Sequence, residues 1–204
     1  MGLYDTRILP VLIHAAMRQQ NLTAYRRRVA AEAFGDVVEI GVGSGLNFPF
    51  YTAAVKRVIG IDPSAGLLRR AARAAEGCSF RVDLLQASAE ALPLADRSAD
   101  TVVTTWSLCS VPDVGRALSD MRRVLRPSGR LLFVEHGRSA DAAVVRWQDR
   151  LTPAWKRVAG GCHLNRSMAE LIEAAGFAVD RLETGYMKGP KPMTFMYEGS
   201  ARPG

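Results

Sequence analysis

Residues 39–47 read EIGVGSGLN, and this stretch decides the fold. Its glycines follow the mostly apolar run VVEI at residues 37–40, which predicts a short buried strand. Glycines at alternating positions allow a tight turn and a close approach of the backbone to a ligand. The dinucleotide-binding fingerprint G-x-G-x-x-G would require glycine at Leu46. The pattern therefore argues against a nicotinamide-dependent dehydrogenase.

Strands and helices alternate after this turn, which predicts an α/β fold with an open, mostly parallel sheet and helices on both faces. Further strands are predicted at residues 57–61, 79–86, 100–105, 130–135, 177–182 and 193–197. Helices are predicted at residues 47–54, 67–75, 114–125 and around 141–151, and a capping box at residues 167–170 opens another. Such sheets bind ligands at the carboxyl ends of their strands.

An acidic residue closes the second predicted strand, in the sequence GIDPS at residues 60–64. A carboxylate at the position of Asp62 can accept hydrogen bonds from both hydroxyls of a ribose. The helix predicted after the glycine turn would present free N–H groups that suit a carboxylate. Both features predict a nucleoside-containing ligand.

The composition bounds the class of protein. The chain has 204 residues, 48% hydrophobic and 23% charged, which fits a single globular domain over residues 1–204. The net charge of +7 permits an anionic partner, but no basic stripe with interleaved aromatic residues predicts a nucleic-acid partner. The three cysteines form no C-x-x-C motif, so neither a disulfide framework nor a structural zinc site is expected. With no signal peptide or transmembrane segment recognised, a cytoplasmic location is expected, and the oligomeric state stays open.

Two segments lie outside the alternating pattern. Residues 1–34 are predicted to form an N-terminal helical cap, and residues 8–17 are apolar all round the helix. This helix could pack on the domain, cover a ligand as a lid, or make weak peripheral contact with a membrane. Residues 136–166 form a long connection after a strand, where a substrate-covering insertion would lie.

Three more motifs follow in order: ASAEALPL at residues 87–94, DTVVTTW at residues 100–106, and RVLRPSGRLLF at residues 123–133. Together with the glycine turn and Asp62, they make the chain resemble the class I, Rossmann-like methyltransferases that use S-adenosylmethionine (SAM). The resemblance implies a seven-stranded sheet with an antiparallel edge. It also implies SAM as the cofactor, S-adenosyl-L-homocysteine as its product, and a small-molecule substrate.

The resemblance also assigns cofactor contacts. Those implied for the amino acid end of SAM are Glu39, Gly41, Gly43, Gly45 and Asn47. Asp62 is implied for the ribose, Pro63 and Ser64 for one side of the adenine, and Ser88, Ala89 and Glu90 for its other edge. Trp106 and Leu108 are implied to lie near the methionine part. Ser88 and Ala89 also suit a plain turn.

A narrower resemblance rests on WSLCSV at residues 106–111, FVEHG at 133–137, WQ at 147–148, LTPAW at 151–155 and GCHLNR at 161–166. These segments are similar to the alkyl thiol S-methyltransferases of animals and their bacterial relatives. The resemblance implies a small thiol or sulfide, such as methanethiol or hydrogen sulfide, as methyl acceptor. The animal proteins carry a membrane anchor, and no counterpart to it is expected in this sequence. Some bacterial relatives are described as phospholipid N-methyltransferases, so a phosphatidylethanolamine-type acceptor is the alternative.

A thiol acceptor would need help to ionise, because a thiol of pKa near 8.5 is only a few per cent thiolate at pH 7. His136 is the first candidate for a base, His163 is the second, and Arg166 could stabilise a thiolate. Each of the three could equally have a purely structural role. The candidates for substrate contact are Tyr4, Tyr25, Cys109, Trp147 and Tyr186. No metal ion is expected, because no Asp/Asn/Glu cluster follows the fourth or fifth strand.

Overall fold

The structure is a computed structural model that describes residues 9–204. Its strands are β1 (Gly35–Ile40), β2 (Val55–Ile61), β3 (Arg81–Leu85), β4 (Ala99–Thr105), β5 (Leu125–His136), β6 (Phe177–Tyr186) and β7 (Phe195–Pro203). They form one sheet in the order β3-β2-β1-β4-β5-β7-β6. The first five strands pair in parallel, while β7 pairs antiparallel with both β5 and β6. This is the Rossmann-like α/β sheet with an antiparallel edge that the sequence predicts.

Helices cover both faces of the sheet. Within residues 9–204 they are α1 (Leu9–Met17), α2 (Gln20–Ala31), α3 (Ala65–Ala75), α4 (Val114–Val124), α5 (Ala142–Val158), α6 (Met168–Ala174) and α7 (Lys191–Thr194). Successive residues of a strand point to opposite faces, so Val37 of β1 packs in the core under α2 and α3, while Val38 packs in the core under α4 and α6. The central strands are therefore apolar on both sides.

The helix predicted at residues 47–54 does not form. A single 3-10 turn, Phe48–Phe50, takes its place. Pro49 has no backbone N–H and so cannot continue a hydrogen-bonded helix. Phe48 and Tyr51 are instead buried against the sheet. The sequence predicts that a helix N-terminus after the glycine turn would bind a carboxylate. The 3-10 turn lies at that place instead.

Smaller differences have local causes. Ser167 occupies the N-cap position of α6 but makes no side-chain capping bond, so the predicted capping box is not formed. β5 begins at Leu125, earlier than predicted, because Leu125 already pairs with Ala99. β7 begins two residues later than predicted, since α7 uses Lys191–Thr194 for one helical turn. Among the described residues, no helix is both long and apolar enough to span a bilayer.

Candidate active site

A cavity of about 330 Å³ opens at the carboxyl ends of β1 to β4. This volume lies in the range of small-molecule sites. Its walls come from the turns after these strands, from α1, and from residues 159–160 after α5. The predicted cofactor residues that line it are Glu39, Gly41, Gly43, Asp62, Pro63, Ser64, Ser88, Ala89 and Trp106. The fold thus brings most of the predicted cofactor contacts to one cavity.

Two glycines of the turn after β1, Gly41 and Gly43, show why the turn needs this residue type. Gly41 has φ +65°, and a Cβ there would lie 2.0 Å from Oγ of Ser107. Gly43 has φ +56°, and a Cβ there would meet no atom closer than 3.8 Å. Gly43 lines the cavity, so the space that a side chain would fill is left to a ligand.

Asp62 presents a buried carboxylate at this turn, with only 6% of the residue exposed. Its Oδ2 accepts the backbone N–H of Gly43 at 3.0 Å, and its Oδ1 accepts that of Ser64 at 2.8 Å. Burial raises the pKa of Asp62, and the two N–H donors partly oppose that shift. Each carboxylate oxygen keeps a further lone pair. The group can therefore accept the two hydroxyls of a ribose, and the site fits SAM.

Glu39 lies in a buried polar network beside the turn. Its Oε1 accepts the side-chain N–H of Asn47 at 2.9 Å, and its Oε2 accepts the hydroxyl of Tyr51 at 2.8 Å. Nη1 of Arg26 donates to Oδ1 of Asn47 at 2.9 Å. Burial raises the pKa of Glu39 to about 7, although the Tyr51 hydrogen bond and the Arg26 charge act in the opposite direction. Glu39 can thus change its charge near neutral pH while facing the cavity.

Arg26 is a functional residue that sequence reasoning missed. It is the first of three consecutive arginines, but only 6% of it is exposed. Burial lowers its pKa to about 10, so it stays charged at pH 7. Its guanidinium carbon lies 4.8 Å from the ring centroid of Trp106. Its neighbours Arg27 and Arg28 are exposed, so the local sequence does not reveal which of the three arginines is buried.

Trp106 is held in an uncommon backbone conformation, with φ +52°. The backbone N–H of Trp106 donates to the carbonyl of Val134 at 2.8 Å. The ring of Tyr25 packs edge-on against the ring of Trp106, with the two centroids 6.3 Å apart. Positive φ in a bulky residue is found mainly where the surrounding structure imposes it. Tyr25, a predicted substrate contact, supports Trp106 from behind and does not line the cavity.

Helix α1 forms one wall of the cavity through Pro10, Ile13, His14 and Met17. Nδ1 of His14 lies 2.6 Å from Oγ of Ser44 in the glycine turn. Burial, with the charges of Arg70 and Arg18, lowers the pKa of His14, so the imidazole is neutral at pH 7. Sequence reasoning did not select His14, although it is the single polar residue in the apolar stretch 8–17.

Four predicted cofactor residues do not line the cavity. Gly45, the last glycine of the turn, and Asn47 are absent from the cavity lining, and Asn47 supports Glu39. Glu90 accepts the backbone N–H of Asp113 at 2.6 Å and so joins the turn after β3 to the start of α4. Leu108 is fully buried in the core. Their positions indicate that these four residues support the walls of the cavity without facing it.

The three predicted catalytic residues also lie outside the cavity lining. Nε2 of His136 is 3.0 Å from Sγ of Cys162. The backbone N–H of His163 donates to the carbonyl of Cys109 at 2.8 Å, and Arg166 donates to the carbonyls of Leu108 and Pro112. His163 and Arg166 thus join the segment before α6 to the loop after β4, and His136 joins the same segment to the end of β5. Their catalytic roles remain predictions from the sequence.

The remaining predicted substrate contacts are dispersed. Trp147 is 56% exposed on α5, and Tyr186 is 39% exposed, with its hydroxyl paired to that of Ser139. Cys109 is buried in the core. Tyr4 lies outside the described residues. The predicted insertion at residues 136–166 reaches the cavity through Ala159 and Gly160 alone among its described residues.

A protein family described as a methyltransferase domain matches residues 38–133. Residues 38–133 are a methyltransferase domain. The matched segment begins in β1, ends in β5, and contains the glycine turn, Asp62 and Trp106. The match confirms the methyltransferase class predicted from the motifs, and with it SAM as the cofactor of this domain.

Curated relatives of the chain act on different molecules, according to their names. A rat thiol S-methyltransferase, TMT1B, is 34% identical over 151 residues, which is 72% of this chain and 62% of the relative. The human thiol S-methyltransferase TMT1A is 35% identical, with the same two coverages. A phosphatidylethanolamine N-methyltransferase from Cereibacter sphaeroides is 40% identical over 54% of this chain and 57% of its own. The chain thus spans about 62% of the length of the thiol methyltransferases it matches.

Solved structures share the fold at low sequence identity. A SAM-dependent methyltransferase from Mesorhizobium loti has a TM-score of 0.67 and 20% identity, covering 91% of this chain and 99% of its own. One from Aquifex aeolicus has a TM-score of 0.66 and 16% identity, covering 94% and 97%. The sheet and its helices are therefore those of the methyltransferase fold.

Proposed function

We propose that this protein transfers the methyl group of SAM to the sulfur of a small thiol or sulfide, such as methanethiol or hydrogen sulfide. The observation that carries the proposal is the cavity at the carboxyl ends of β1 to β4. It combines the Asp62 carboxylate, the open glycine turn and a wall from α1. The names of the rat and human relatives support sulfur as the acceptor.

The side chains that line part of the cavity suit a small apolar acceptor. The side chains that α1 contributes to it are mostly apolar, namely Pro10, Ile13 and Met17. The loop after β4 adds Trp106, Val111 and Pro112, with two serines between them. Such walls exclude water around the acceptor, and a thiolate is more nucleophilic when it is less hydrated.

The chain's residues have mainly a positioning role in this reaction. When bound, SAM supplies a methyl group on a positively charged sulfur, which is already a strong electrophile. Asp62 would hold the ribose hydroxyls, while Glu39 and its network would hold the amino acid end. Trp106 would present its ring close to the sulfonium, where an aromatic face is electrostatically favourable. Orientation of the two reactants then supplies most of the rate.

For the acceptor proton we assign the base role to His14 in preference to the sequence candidates. His14 lines the cavity and carries a neutral imidazole, which can accept a proton. His136, His163 and Arg166 lie outside that lining. Base assistance of this kind is worth about 10²–10⁴-fold.

The proposal is tested by an acceptor screen with methyl-labelled SAM. Sulfide, methanethiol, longer alkyl thiols and vesicles of phosphatidylethanolamine are offered separately at one enzyme concentration. The proposal expects label in the methylated product of a small thiol or sulfide. Label found only in the lipid, or in no product, would contradict it.

One alternative acceptor has specific support. The named activity of the Cereibacter relative is on phosphatidylethanolamine, and α1 exposes Val11 and Leu12 at 49% and 52% on its outer side. With the net charge of +7, these side chains could hold the protein on an anionic bilayer. Pelleting with anionic vesicles that is lost in a Val11→Ser/Leu12→Ser double variant would favour this lipid alternative. Absence of pelleting in the unaltered chain would remove that support.

A further inference from the structure

Three side chains with metal-binding atoms meet beyond the carboxyl ends of β4 and β5. Cys109 follows β4, His136 ends β5, and Cys162 lies in the turn after α5. Their ligand atoms all lie within 4.8 Å of one another, and Nε2 of His136 is 3.0 Å from Sγ of Cys162. Sequence spacing gave no sign of this cluster, because its members are far apart in the chain.

The distances between the three ligand atoms suit binding to one tetrahedral metal ion. With Zn–S bonds of about 2.3 Å and Zn–N bonds of about 2.0 Å, ligand atoms of a tetrahedral zinc site lie roughly 3.5 Å apart. Nε2 of His136 and Sγ of Cys162 are 3.0 Å apart, and no pair of the three ligand atoms is separated by more than 4.8 Å. These separations are small enough that one ion could contact all three atoms after small side-chain adjustments.

The backbone holds the two cysteine loops together. The N–H of His163, next to Cys162, donates to the carbonyl of Cys109 itself at 2.8 Å. Arg166 donates to the carbonyl of Leu108, next to Cys109. Gly161, with φ +84°, turns the chain back toward β4 just before Cys162. The two thiols are thereby held close to each other and to His136.

The chemistry of the cluster selects a soft divalent ion. Cys109 and Cys162 are buried, at 2% and 8% exposure, and a buried site tolerates little net charge. Two thiolates, one neutral imidazole and one Zn²⁺ sum to zero. The indole N–H of Trp155 points at Sγ of Cys162 at 3.3 Å, as outer-shell donors do toward thiolate ligands. Sulfur ligands favour zinc over magnesium or calcium.

We propose that Cys109, His136 and Cys162 bind one zinc ion, with water as the fourth ligand. Binding forms two Zn–S bonds and one Zn–N bond, and it releases the two thiol protons to solvent. Three protein ligands leave one coordination position open. Ser110 and Gly160, each close in sequence to a ligand, line the cavity, so the proposed ion would lie beside the cavity wall. The proposal is independent of the methyl acceptor.

The test uses a Cys78→Ser variant, because Cys78 is the one cysteine of the sequence that lies outside the cluster. The reduced, chelator-treated protein is titrated with Zn²⁺ under native mass spectrometry and with Co²⁺ under absorption spectroscopy. We expect one equivalent of zinc, a thiolate-to-cobalt charge-transfer band, and protection of both remaining thiols from alkylation. The unaltered chain serves as the matched control and should bind the same single equivalent.

Ligand variants decide the assignment. Cys162→Ala and His136→Gln, each in the Cys78→Ser background, should weaken zinc binding by more than about 100-fold, beyond the effect of outer-shell changes. If these variants do not fold, the thiol protection and cobalt band of the Cys78→Ser chain alone decide. Failure of that chain to bind zinc, or full binding by a folded Cys162→Ala variant, would overturn the proposal. Neither readout depends on methyl transfer.

Discussion

Nδ1 of His14 lies 2.6 Å from Oγ of Ser44, so a single side-chain contact joins helix α1 to the glycine turn after β1. The far end of α1 is held by Arg26, whose Nη2 donates to the carbonyl of Met17 at 3.3 Å. Arg26 belongs to the Glu39 network at the cavity. The helix that covers the cavity is thus tied at two points to the residues that would hold SAM.

Replacing His14 tests both the contact and the assigned base. For His14→Ala we expect kcat/KM for a small thiol to fall by about 10²–10⁴-fold at pH 7, because general-base assistance is lost. SAM affinity should fall by less than about tenfold, since one hydrogen bond contributes about 0.5–1.5 kcal/mol. The measurements are steady-state kinetics with the thiol and calorimetry with SAM.

Leu12→Ala is the matched control for His14, because Leu12 lies on the exposed side of the same helix. It should leave both quantities within about twofold. Raising the pH toward the thiol pKa should recover part of the loss in His14→Ala, since solvent then deprotonates the acceptor. An equal deficit at every pH would remove His14 from the base role.

Asp62→Asn tests ribose recognition. The change removes the negative charge while keeping the side-chain size, and a hydrogen bond to a charged group is worth about 1.5–3 kcal/mol. We therefore expect SAM affinity to fall by tenfold or more in calorimetry. Asp83→Asn is the control, because Asp83 pairs with Arg57 and Arg81 away from the cavity. An unchanged dissociation constant for the folded Asp62→Asn variant would refute the ribose assignment.

Glu39 predicts a pH dependence of cofactor binding. Its pKa is raised to about 7 by burial, so it carries little charge at pH 6 and nearly full charge at pH 8. A carboxylate attracts the ammonium of SAM, and the affinity of the unaltered protein should rise by up to about tenfold over this interval. Glu39→Gln should lack this rise. Since both proteins bind the same cofactor, any titration of SAM itself is common to the two.

The raised pKa of Glu39 also makes the free energy of unfolding depend on pH. Between about pH 4.5 and pH 7 the unfolded chain releases the Glu39 proton while the folded protein keeps it. The free energy of unfolding contributed by this group therefore falls as the pH rises through that interval, and is constant above it. Denaturant unfolding of Glu39→Gln should lack this component. A steeper fall in the variant would contradict the assignment of the raised pKa.

The sheet and the cofactor turn could be predicted because their determinants are local. Alternating strands and helices specify a parallel sheet, and the carboxyl ends of parallel strands lie at one edge. The glycine turn and Asp62 follow adjacent strands in that sheet, so their meeting was implied by order alone. The helix predicted at residues 47–54 was wrong because Pro49 and the burial of Phe48 outweighed helical propensity.

Residues whose role depends on long-range packing could not be found this way. Arg26 is buried because α2 places it over Asn47 and Thr105, which its own neighbours in sequence do not reveal. His14 faces the cavity only because α1 packs on the glycine turn. His136 was selected for its place at a strand end, but its closest polar partner is Cys162, 26 positions away. Each case is a tertiary contact without a local sequence signal.

Single-turnover transfer tests the central claim most directly. The protein, in excess over methyl-labelled SAM, is mixed with methanethiol and quenched at short times, and label is followed into dimethyl sulfide. The account predicts that label leaves SAM in one exponential phase, with yield close to the SAM added, and that the phase is strongly slowed in Asp62→Asn but not in Asp83→Asn. Label that stays on SAM with every small thiol and sulfide, or an equal rate in Asp62→Asn, would contradict it.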